Sequence, residues 1–290
     1  MTRFLVTALV CSLLVLSLLT TATTQELPLV KVSKTSLHSG RINPLIYGSF
    51  IELWDDHVPG LWAEMLNDRG FEGVKPRADW CHYIGEPNVC DREWDKTGDW
   101  SVDLTDPFNG PCCAKLTSTG SPATITQSGL FTKKGMTYHF SGYFRTDSPE
   151  LRIKVVLKAL LPDESWMILA SADIPKQRSE WRMFSCDLIS TGTTDNAVFE
   201  ISISGNGSLW MDKLSLMPDD NVNGWRSDVV EAIRELAPPV IRWGGCVIDP
   251  GHYKWKDCVG NRDYRVPFEN WFWGRIDSND VGIDEFLQFC

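Results

Sequence analysis

The middle of the chain alternates between apolar and polar residues with a period of two. In Leu151–Lys158 apolar and basic residues take turns, and Tyr138–Phe144 and Phe199–Ser204 follow the same pattern. Alternation of this kind places one face of a strand against a core and the other face in water. Several such strands, separated by Gly and Asp turn signals, predict an antiparallel β-sandwich over residues 94–217 that ends with the strand Leu209–Leu216.

The segments on either side of this block contain continuous apolar runs instead. Asn43–Glu52 is apolar and aromatic up to its final carboxylate, and Val240–Gly245 is an apolar run that ends in two glycines. Such runs are typical of strands buried on both faces in a parallel sheet.

Three segments of the flanks predict helices. Leu61–Leu66 predicts a short helix that ends near Gly70, and another helix begins at Ile283. The segment before Pro238 has Ser227 as a candidate N-cap and places three apolar residues on one helical face: Val229, Ile233 and Leu236. Strands and helices therefore alternate on both sides of the sandwich, which indicates an α/β domain interrupted by an all-β one.

The first 24 residues have the pattern of a secretion signal. Arg3 precedes an apolar run from Phe4 to Leu19, and the small and polar residues that follow supply a cleavage zone near residues 22–24. A membrane span needs about 20 apolar residues, so an uncleaved anchor is the less favoured alternative. We therefore expect a secreted chain, with no membrane partner once the signal is cleaved.

Composition narrows the range of partners and cofactors. Lys and Arg number 28 against 38 Asp and Glu, a net charge of -10, which argues against nucleic acid as a partner. Nine cysteines occur, one of them in the signal, and an even number in an exported chain favours some disulfides without fixing their pairing. Cys81 and Cys90 could close a short loop. The His and Cys spacings fit no zinc motif, so we predict no metal and no cofactor.

The residues suited to chemistry lie at the ends of the two flanking strands. Glu52 ends the first strand, and Arg242, Trp243, Gly244 and Gly245 end the second. In parallel sheets the carboxyl ends of the strands form the ligand-binding face. A carboxylate there accepts hydrogen bonds from sugar hydroxyls, and an indole packs against sugar C–H groups. The alternatives are a solvated or salt-bridged strand end for Glu52 and a buried ion pair for Arg242.

Ordered motifs in both flanks resemble one enzyme family. Asn43–Glu52 and Leu66–Glu72 resemble the opening of glycoside hydrolase family 51, the α-L-arabinofuranosidases, and Pro239–Gly245 resembles the second barrel strand of that family. The match continues in order through Tyr253–Asp257 and Asp280–Leu287. The sandwich resembles a carbohydrate-binding module of the family 4/9 type, which some members carry at this place.

This resemblance implies a fold and a set of domain boundaries. The family fold is a (β/α)8 barrel, and the chain has room for its first two βα units, interrupted by a jelly-roll-like β-sandwich. The fold class is then α/β plus all-β. The implied domains are the signal at 1–24, the first βα unit at 25–93, the sandwich at 94–217 and a truncated second βα unit at 218–290.

The resemblance also implies an activity. Members of the family are retaining enzymes that remove terminal arabinofuranose from arabinan and arabinoxylan, so the expected partner is plant cell-wall polysaccharide. By resemblance, Glu52 hydrogen-bonds the sugar in the −1 subsite and the turn at Gly244 and Gly245 approaches the same sugar. The family has a Pro before these glycines that is missing here, and Cys246 follows them directly, which puts a side-chain sugar contact at Cys246 in doubt.

Neither catalytic carboxylate of the family has a counterpart in this sequence. The acid/base of the family is the Glu of an Asn-Glu dipeptide, and no such dipeptide occurs here. Glu269, Asp284 and Glu285 follow the second strand, and we interpret them as loop or helix-surface charges. We therefore expect that this chain alone does not hydrolyse arabinofuranosides. The alternatives are a non-catalytic carbohydrate-binding protein and a truncated product that does not fold.

Overall fold

The computed structural model describes residues 32–35, 39–52, 60–72, 94–244, 253–270 and 275–290. Residues 1–43 and 44–290 form separate compact units, and every described helix and strand belongs to the second. Several sequence predictions fall outside the described residues: the secretion signal, the loop between Cys81 and Cys90, and the positions Gly245 and Cys246.

The described strands and helices follow one another along the chain with few long gaps. The strands are β1 (Ser49–Glu52), β2 (Asp95–Thr97), β3 (Asp99–Asp103), β4 (Cys113–Thr119), β5 (Ala123–Thr132), β6 (Thr137–Thr146), β7 (Arg152–Leu160), β8 (Trp166–Ile174), β9 (Arg182–Ile189), β10 (Thr194–Ser204), β11 (Asn206–Pro218), β12 (Ile241–Gly244), β13 (Phe268–Asn270) and β14 (Arg275–Asp277). The α-helices are α1 (Ser227–Leu236) and α2 (Ile283–Phe289), with 3-10 turns at Pro44–Tyr47, Trp255–Cys258 and Arg262–Tyr264.

Strands β2 to β11 form two five-stranded antiparallel sheets. Their orders are β2-β5-β10-β7-β8 and β3-β4-β11-β6-β9. Along β7 the alternation that predicts a strand is visible in burial, because Ile153, Val155 and Leu157 are buried while Lys154 is exposed. The predicted antiparallel sandwich is confirmed. The exact domain boundaries stay a prediction, although β2 begins at Asp95 and β11 ends at Pro218.

The sandwich core includes residues from the segment that precedes the sandwich. Phe71 is fully buried there, with its ring centroid 5.4 Å from that of Trp94 and 5.7 Å from that of Trp100. The amide of Gln127 in β5 bonds both backbone groups of Asn67, donating to the carbonyl at 2.6 Å and accepting from the N–H at 3.0 Å. The stretch 66–71 is therefore part of the sandwich rather than a linker to it.

The helix predicted at Leu61–Leu66 is wrong. Leu61 is helical, but residues 63–66 have no regular secondary structure, and Met65 donates its N–H to the Leu216 carbonyl of β11 at 3.0 Å. Glu64 accepts a second hydrogen bond at 2.7 Å from the N–H of Leu216. Tertiary hydrogen bonds to the sandwich thus replace the local ones that a single helical turn would offer.

Outside the sandwich, β1 and β12 pair in parallel and rest on a small second core. Their register joins Ser49 to Ile241 and Glu52 to Gly244. The buried members of this core, within the described residues, are Ile51, Trp62, Trp225, Val230, Val281 and Phe286. One parallel pair with helices beside it fits an α/β arrangement, and its extension to a barrel stays a prediction.

Helix α1 is present where the sequence predicts it, but it begins and packs differently. Its N-cap is Arg226 rather than Ser227, because the N–H of Val230 donates to the Arg226 carbonyl at 3.0 Å. Val230 is the buried residue of the helix, whereas Leu236, predicted on the apolar face, is 69% exposed. Among the described residues, no helix has the length and apolar character needed to cross a membrane.

Four of the described cysteines are free thiols. Cys113 and Cys258 are buried, Cys186 is half-buried and Cys290 is exposed. Burial raises the pKa of the Cys113 thiol to about 12, so this group stays protonated and unreactive at neutral pH. The expectation of disulfides therefore does not apply to these four residues.

Candidate functional site

The parallel pairing of β1 and β12 brings two of the predicted sugar-binding positions together. Glu52 and Gly244 are register partners at the carboxyl ends of the two strands. Gly244 is buried and has a φ of 125°, a conformation that disfavours any side chain. Parallel sheets commonly bind ligands at the carboxyl ends of their strands. At this edge, Glu52 ends one strand and Gly244, which has no side chain, ends its neighbour.

Trp243 lies on the side of the strand pair that faces the second core. Its ring centroid is 5.0 Å from that of Phe286 in α2, with 33° between the planes, and its register partner Ile51 is 4% exposed. Because one face of the indole already packs against the helix, this residue supports the strand end rather than offering an open stacking surface.

Arg242 occupies the opposite side of the strand. The side chain is exposed, and its guanidinium carbon lies 4.0 Å above the ring of Phe50, its register partner in β1. The alternative of a buried ion pair for Arg242 is therefore wrong, because the residue remains accessible to water. A cation over an aromatic face is attracted by the ring quadrupole, which holds both side chains in place.

The carboxylates that follow β12 hold the fold together. Glu285 pairs with Arg265 through two hydrogen bonds of 2.8 Å and is only 14% exposed, so its interpretation as a surface charge is wrong. Asp284 accepts the N–H of Gly260 at 2.8 Å. The described residues contain no cluster of three or more His, Cys, Asp or Glu side chains that would suit a metal ion.

A buried ionic network that none of the sequence motifs indicates joins the flanks to the sandwich. Arg69, 2% exposed, pairs with Asp263 and donates to Asp280 at 2.8 Å. Although burial alone would raise it, the pKa of Asp280 lies below its usual range because of the charges of Arg69 and Arg262. Arg262 also donates to Glu64 at 2.9 Å. Segments far apart in sequence are thereby held at fixed distances.

A second buried pair belongs to the same seam. Lys213 leaves β11 at a bulge with a φ of 48° and donates to Glu72 at 2.7 Å, with the two side chains 2% and 4% exposed. Next to it, burial raises the pKa of Asp212 to about 7, against the opposing charge of Lys213. The carboxylate of Asp212 accepts the N–H groups of Phe108 and Asn109 at 3.1 Å each.

One sequence signal could have found this network. The run Leu66–Glu72 contains three charged residues, and two of them, Arg69 and Glu72, are nearly fully buried. Charged residues are rarely buried unless they are paired, so their partners had to come from elsewhere in the chain.

Comparison with known proteins supports the family suggested by the motifs. Residues 232–290 match the domain described as "Alpha-L-arabinofuranosidase 1 domain". The resemblance to the α-L-arabinofuranosidases is confirmed. An arabinofuranosidase described as intracellular and exo-acting, from Bacteroides ovatus, is 41% identical over 86 residues, or 29% of this chain and 16% of that protein.

Two further matches extend over most of the chain. Alpha-L-arabinofuranosidase 2 of Arabidopsis thaliana is 24% identical over 287 residues and covers 90% of this chain and 41% of its own length. A solved arabinose-bound α-L-arabinofuranosidase of family 51 superposes with a TM-score of 0.68 at 21% identity, over 83% of this chain and 41% of that one. The structural match shows a shared fold. The arabinofuranosidase-like chain thus spans less than half the length of each of these proteins.

Proposed function

We propose that this chain is the N-terminal part of a secreted, retaining α-L-arabinofuranosidase that acts on arabinose side chains of arabinan and arabinoxylan. The observation that carries the proposal is the parallel register of β1 and β12, which sets Glu52 beside Gly244 at the carboxyl ends of the strands. These strands are the first two of a (β/α)8 barrel, and the active sites of such barrels lie at this end of the strands.

Each residue at this edge has a separate part in binding the sugar. Glu52 accepts hydrogen bonds from sugar hydroxyls, and the glycines at 244 and 245 allow the ring to approach the backbone. Trp243, packed on Phe286, fixes the position of the strand end. Plant cell-wall polysaccharide is the substrate, and export to the cell exterior brings the protein to it.

The catalytic step needs two more carboxyl groups. Retention of configuration requires an acid/base and a nucleophile about 5–5.5 Å apart. Glu285 is engaged with Arg265, and the sequence has no Asn-Glu dipeptide to supply the acid/base of the family. This chain therefore binds the sugar weakly and does not cleave it.

Binding of free L-arabinose to the purified chain tests the role of Glu52. Titration monitored by NMR should show weak binding that falls about tenfold in Glu52→Gln, because one hydrogen bond to a charged acceptor is lost. Glu150→Gln is the matched control, since Glu150 is 79% exposed and pairs with Lys176 on the sandwich surface. Equal binding by the wild-type chain and Glu52→Gln would overturn the assignment of Glu52.

Hydrolysis of a nitrophenyl arabinofuranoside tests the missing carboxylates. We expect no release of nitrophenol by the purified chain above the rate in buffer. Appreciable turnover that Glu52→Ala abolishes would show that this chain holds a complete active site.

A non-catalytic carbohydrate-binding protein is the second candidate. The observation in its favour is that the sandwich has its own continuous core and both of its sheets, whereas the strand pair has only two strands. Retention of the whole chain on insoluble arabinan or xylan, unchanged in Glu52→Gln, would support this function. Loss of retention in Glu52→Gln would favour the arabinofuranosidase site instead.

A further inference from the structure

The connection between β10 and β11 contains a sequence that the proposed function does not use. Asn206, Gly207 and Ser208 form the one Asn-X-Ser/Thr triplet of the chain, which is the acceptor pattern for N-linked glycosylation. Strand β10 ends at Ser204 in one sheet and β11 begins at Asn206 in the other, with Gly205 at a φ of 109° between them. The triplet therefore lies in a tight connection at one end of the sandwich, where a surface modification is readily accommodated.

The side chain of Asn206 is in a position to carry a bulky substituent. It is exposed, and so is its register partner Thr119 at the end of β4. Within the described part of the chain, its side-chain amide has no hydrogen bond to another residue. The neighbouring position, Gly120, has no side chain, and a Cβ there would lie 3.7 Å from Asn206 Oδ1. A sugar on Asn206 Nδ2 therefore breaks no hydrogen bond among the described residues.

Ser208, the third residue of the triplet, is buried instead. It is 6% exposed, and its hydroxyl lies 3.1 Å from that of Thr117 in β4. Its N–H donates to the Asp147 carboxylate at 2.7 Å, and its carbonyl accepts from the hydroxyl of Thr146 at 2.7 Å. The loop after β6 thus covers one end of the triplet. Because the hydroxyl residue is part of the pattern that a glycosyltransferase must recognise, the folded chain hides half of it.

The middle residue of the triplet is held in place as well. Gly207 has a φ of 146°, and a Cβ there would lie 2.4 Å from the Cβ of Ser148 in the loop after β6. On the other side, Gly120 donates its N–H to the carbonyl of Gly205 at 3.1 Å. The triplet cannot open toward an enzyme without separating this loop from β11. Its recognition therefore requires a chain in which β11 is not yet paired with β4 and β6.

We infer that Asn206 is an N-glycosylation site, modified during export before β11 joins its sheet. The reaction joins Asn206 Nδ2 to C1 of the first sugar of a lipid-linked oligosaccharide. The bond between that carbon and the pyrophosphate oxygen breaks, the lipid pyrophosphate leaves with the electron pair, and Nδ2 gives up one proton to a base of the transferase. Donor and transferase belong to the lumen of the endoplasmic reticulum. The inference therefore rests on the proposed export of the chain and not on its proposed substrate.

The folded structure places this glycan far from the flanks. Strand β11 runs from Asn206 at one end to Leu216 and Pro218 at the other, and Leu216 accepts the N–H of Met65. At the usual rise of a strand, Asn206 and Leu216 are roughly 30 Å apart. A glycan is bulky and solubilising, so it shields the outer end of the sandwich and leaves the contacts with the flanks uncovered.

Translation of the full chain in the presence of endoplasmic reticulum microsomes tests the site. We expect a single glycoform, seen as one upward shift on a gel that peptide N-glycosidase removes. Asn206→Gln should abolish the shift. Ser208→Ala should abolish it too, although the acceptor is intact, whereas Ser208→Thr should retain it. Asn196→Gln is the matched control, because Asn196 is also exposed, in β10, but no Ser or Thr lies two residues after it.

The order of events is tested with preformed acceptors. The folded chain from a bacterial host and a synthetic peptide of residues 201–213 are each offered to purified transferase with a lipid-linked oligosaccharide. The peptide should be glycosylated, and the folded chain should react at least about tenfold more slowly, since it must first open locally around β11. Equal rates would overturn modification before folding.

A second signal separates this inference from the export proposal. A cleavable signal of known function is fused ahead of Met1, so that the whole chain enters the microsomes. A glycan on Asn206 with the fused signal but not with the chain's own signal would support the site and overturn the proposed export. Entry into the microsomes without a glycan, shown by protection from added protease, would overturn the site and leave the export proposal intact. A glycan that persists in Asn206→Gln would also overturn the site.

Discussion

The sandwich and the parallel strand pair differ in the size of their hydrophobic cores and in the residues they carry. The sandwich has two complete sheets around one continuous core, whereas β1 and β12 rest on a small core and leave apolar neighbours such as Leu45, Ile46 and Val240 exposed. Yet Glu52 and Gly244 lie in the strand pair. The region with the predicted sugar-binding residues is thus the less self-sufficient one, and it depends on the sandwich through the buried network at Arg69 and Lys213.

The largest effect should come from the residue that the flank contributes to the sandwich core. Phe71→Ala is expected to lower the free energy of unfolding by about 3–5 kcal/mol, because it leaves a cavity beside Trp94 and Trp100. Urea unfolding monitored by tryptophan fluorescence measures the change. Phe131→Ala, at a position 57% exposed, is the control and should cost far less. Equal losses would show that residues 66–71 are not part of the sandwich.

Breaking the buried pair at the seam should have nearly as large an effect. Glu72→Gln removes the carboxylate that accepts the hydrogen bond of the buried Lys213 ammonium and should cost about 3–5 kcal/mol of unfolding free energy. Glu150→Gln breaks an exposed pair and should cost less than about 1 kcal/mol. A cost for Glu72→Gln no greater than that of the control would mean that the pair does not join the two regions.

The pH dependence of stability should reveal Asp212. Its folded-state pKa is raised from 3.8 to about 7, so its contribution is fully present below about pH 3.8 and is lost as the pH rises through 7. Each pKa unit of such a shift corresponds to about 1.4 kcal/mol. Thermal unfolding between pH 4 and 8 should therefore show a smaller decline with pH in Asp212→Asn than in the wild-type chain. Identical profiles would contradict the assignment.

The smallest effect should be confined to the strand pair. A Cβ at Gly48 would lie 2.4 Å from Val240 Cγ1 and 3.0 Å from its carbonyl oxygen. Gly48→Ala should therefore cost about 1–3 kcal/mol of local stability by pushing β1 away from β12. Hydrogen exchange should show faster exchange at Ser49, whose N–H donates to Val240, with the sandwich amides unchanged. Faster exchange in both regions would mean that the strand pair and the sandwich open together.

Period-two alternation predicted the sandwich well because each strand has one face in the core and one in water. Ile153, Val155 and Leu157 follow that rule inside β7, and their partners in β10 do the same. The pattern failed at Leu61–Leu66, where the local preference for a helical turn is overcome by hydrogen bonds to Leu216 and Gly224. A short apolar run carries too little periodicity to reveal such distant partners.

The candidate site was only partly predictable from sequence. Strand ends at Glu52 and Gly244 follow from apolar runs that stop at a carboxylate and a glycine, and the parallel register brings them together. The packing of Trp243 could not be predicted, because its contact with Phe286 forms only when α2 packs against the strand pair.

The register partners Ser49 and Ile241 enclose the entire sandwich between them. Closing so long a loop in a disordered chain carries a large entropic cost, and contacts distant in sequence form slowly. Once the sandwich has folded, the hydrogen bond from Met65 to Leu216 of β11 brings the segments before and after it together, and β1 needs only a short search to find β12. We therefore expect the order of folding to run from the middle outward, with the sugar-binding edge as the last part of the molecule to form.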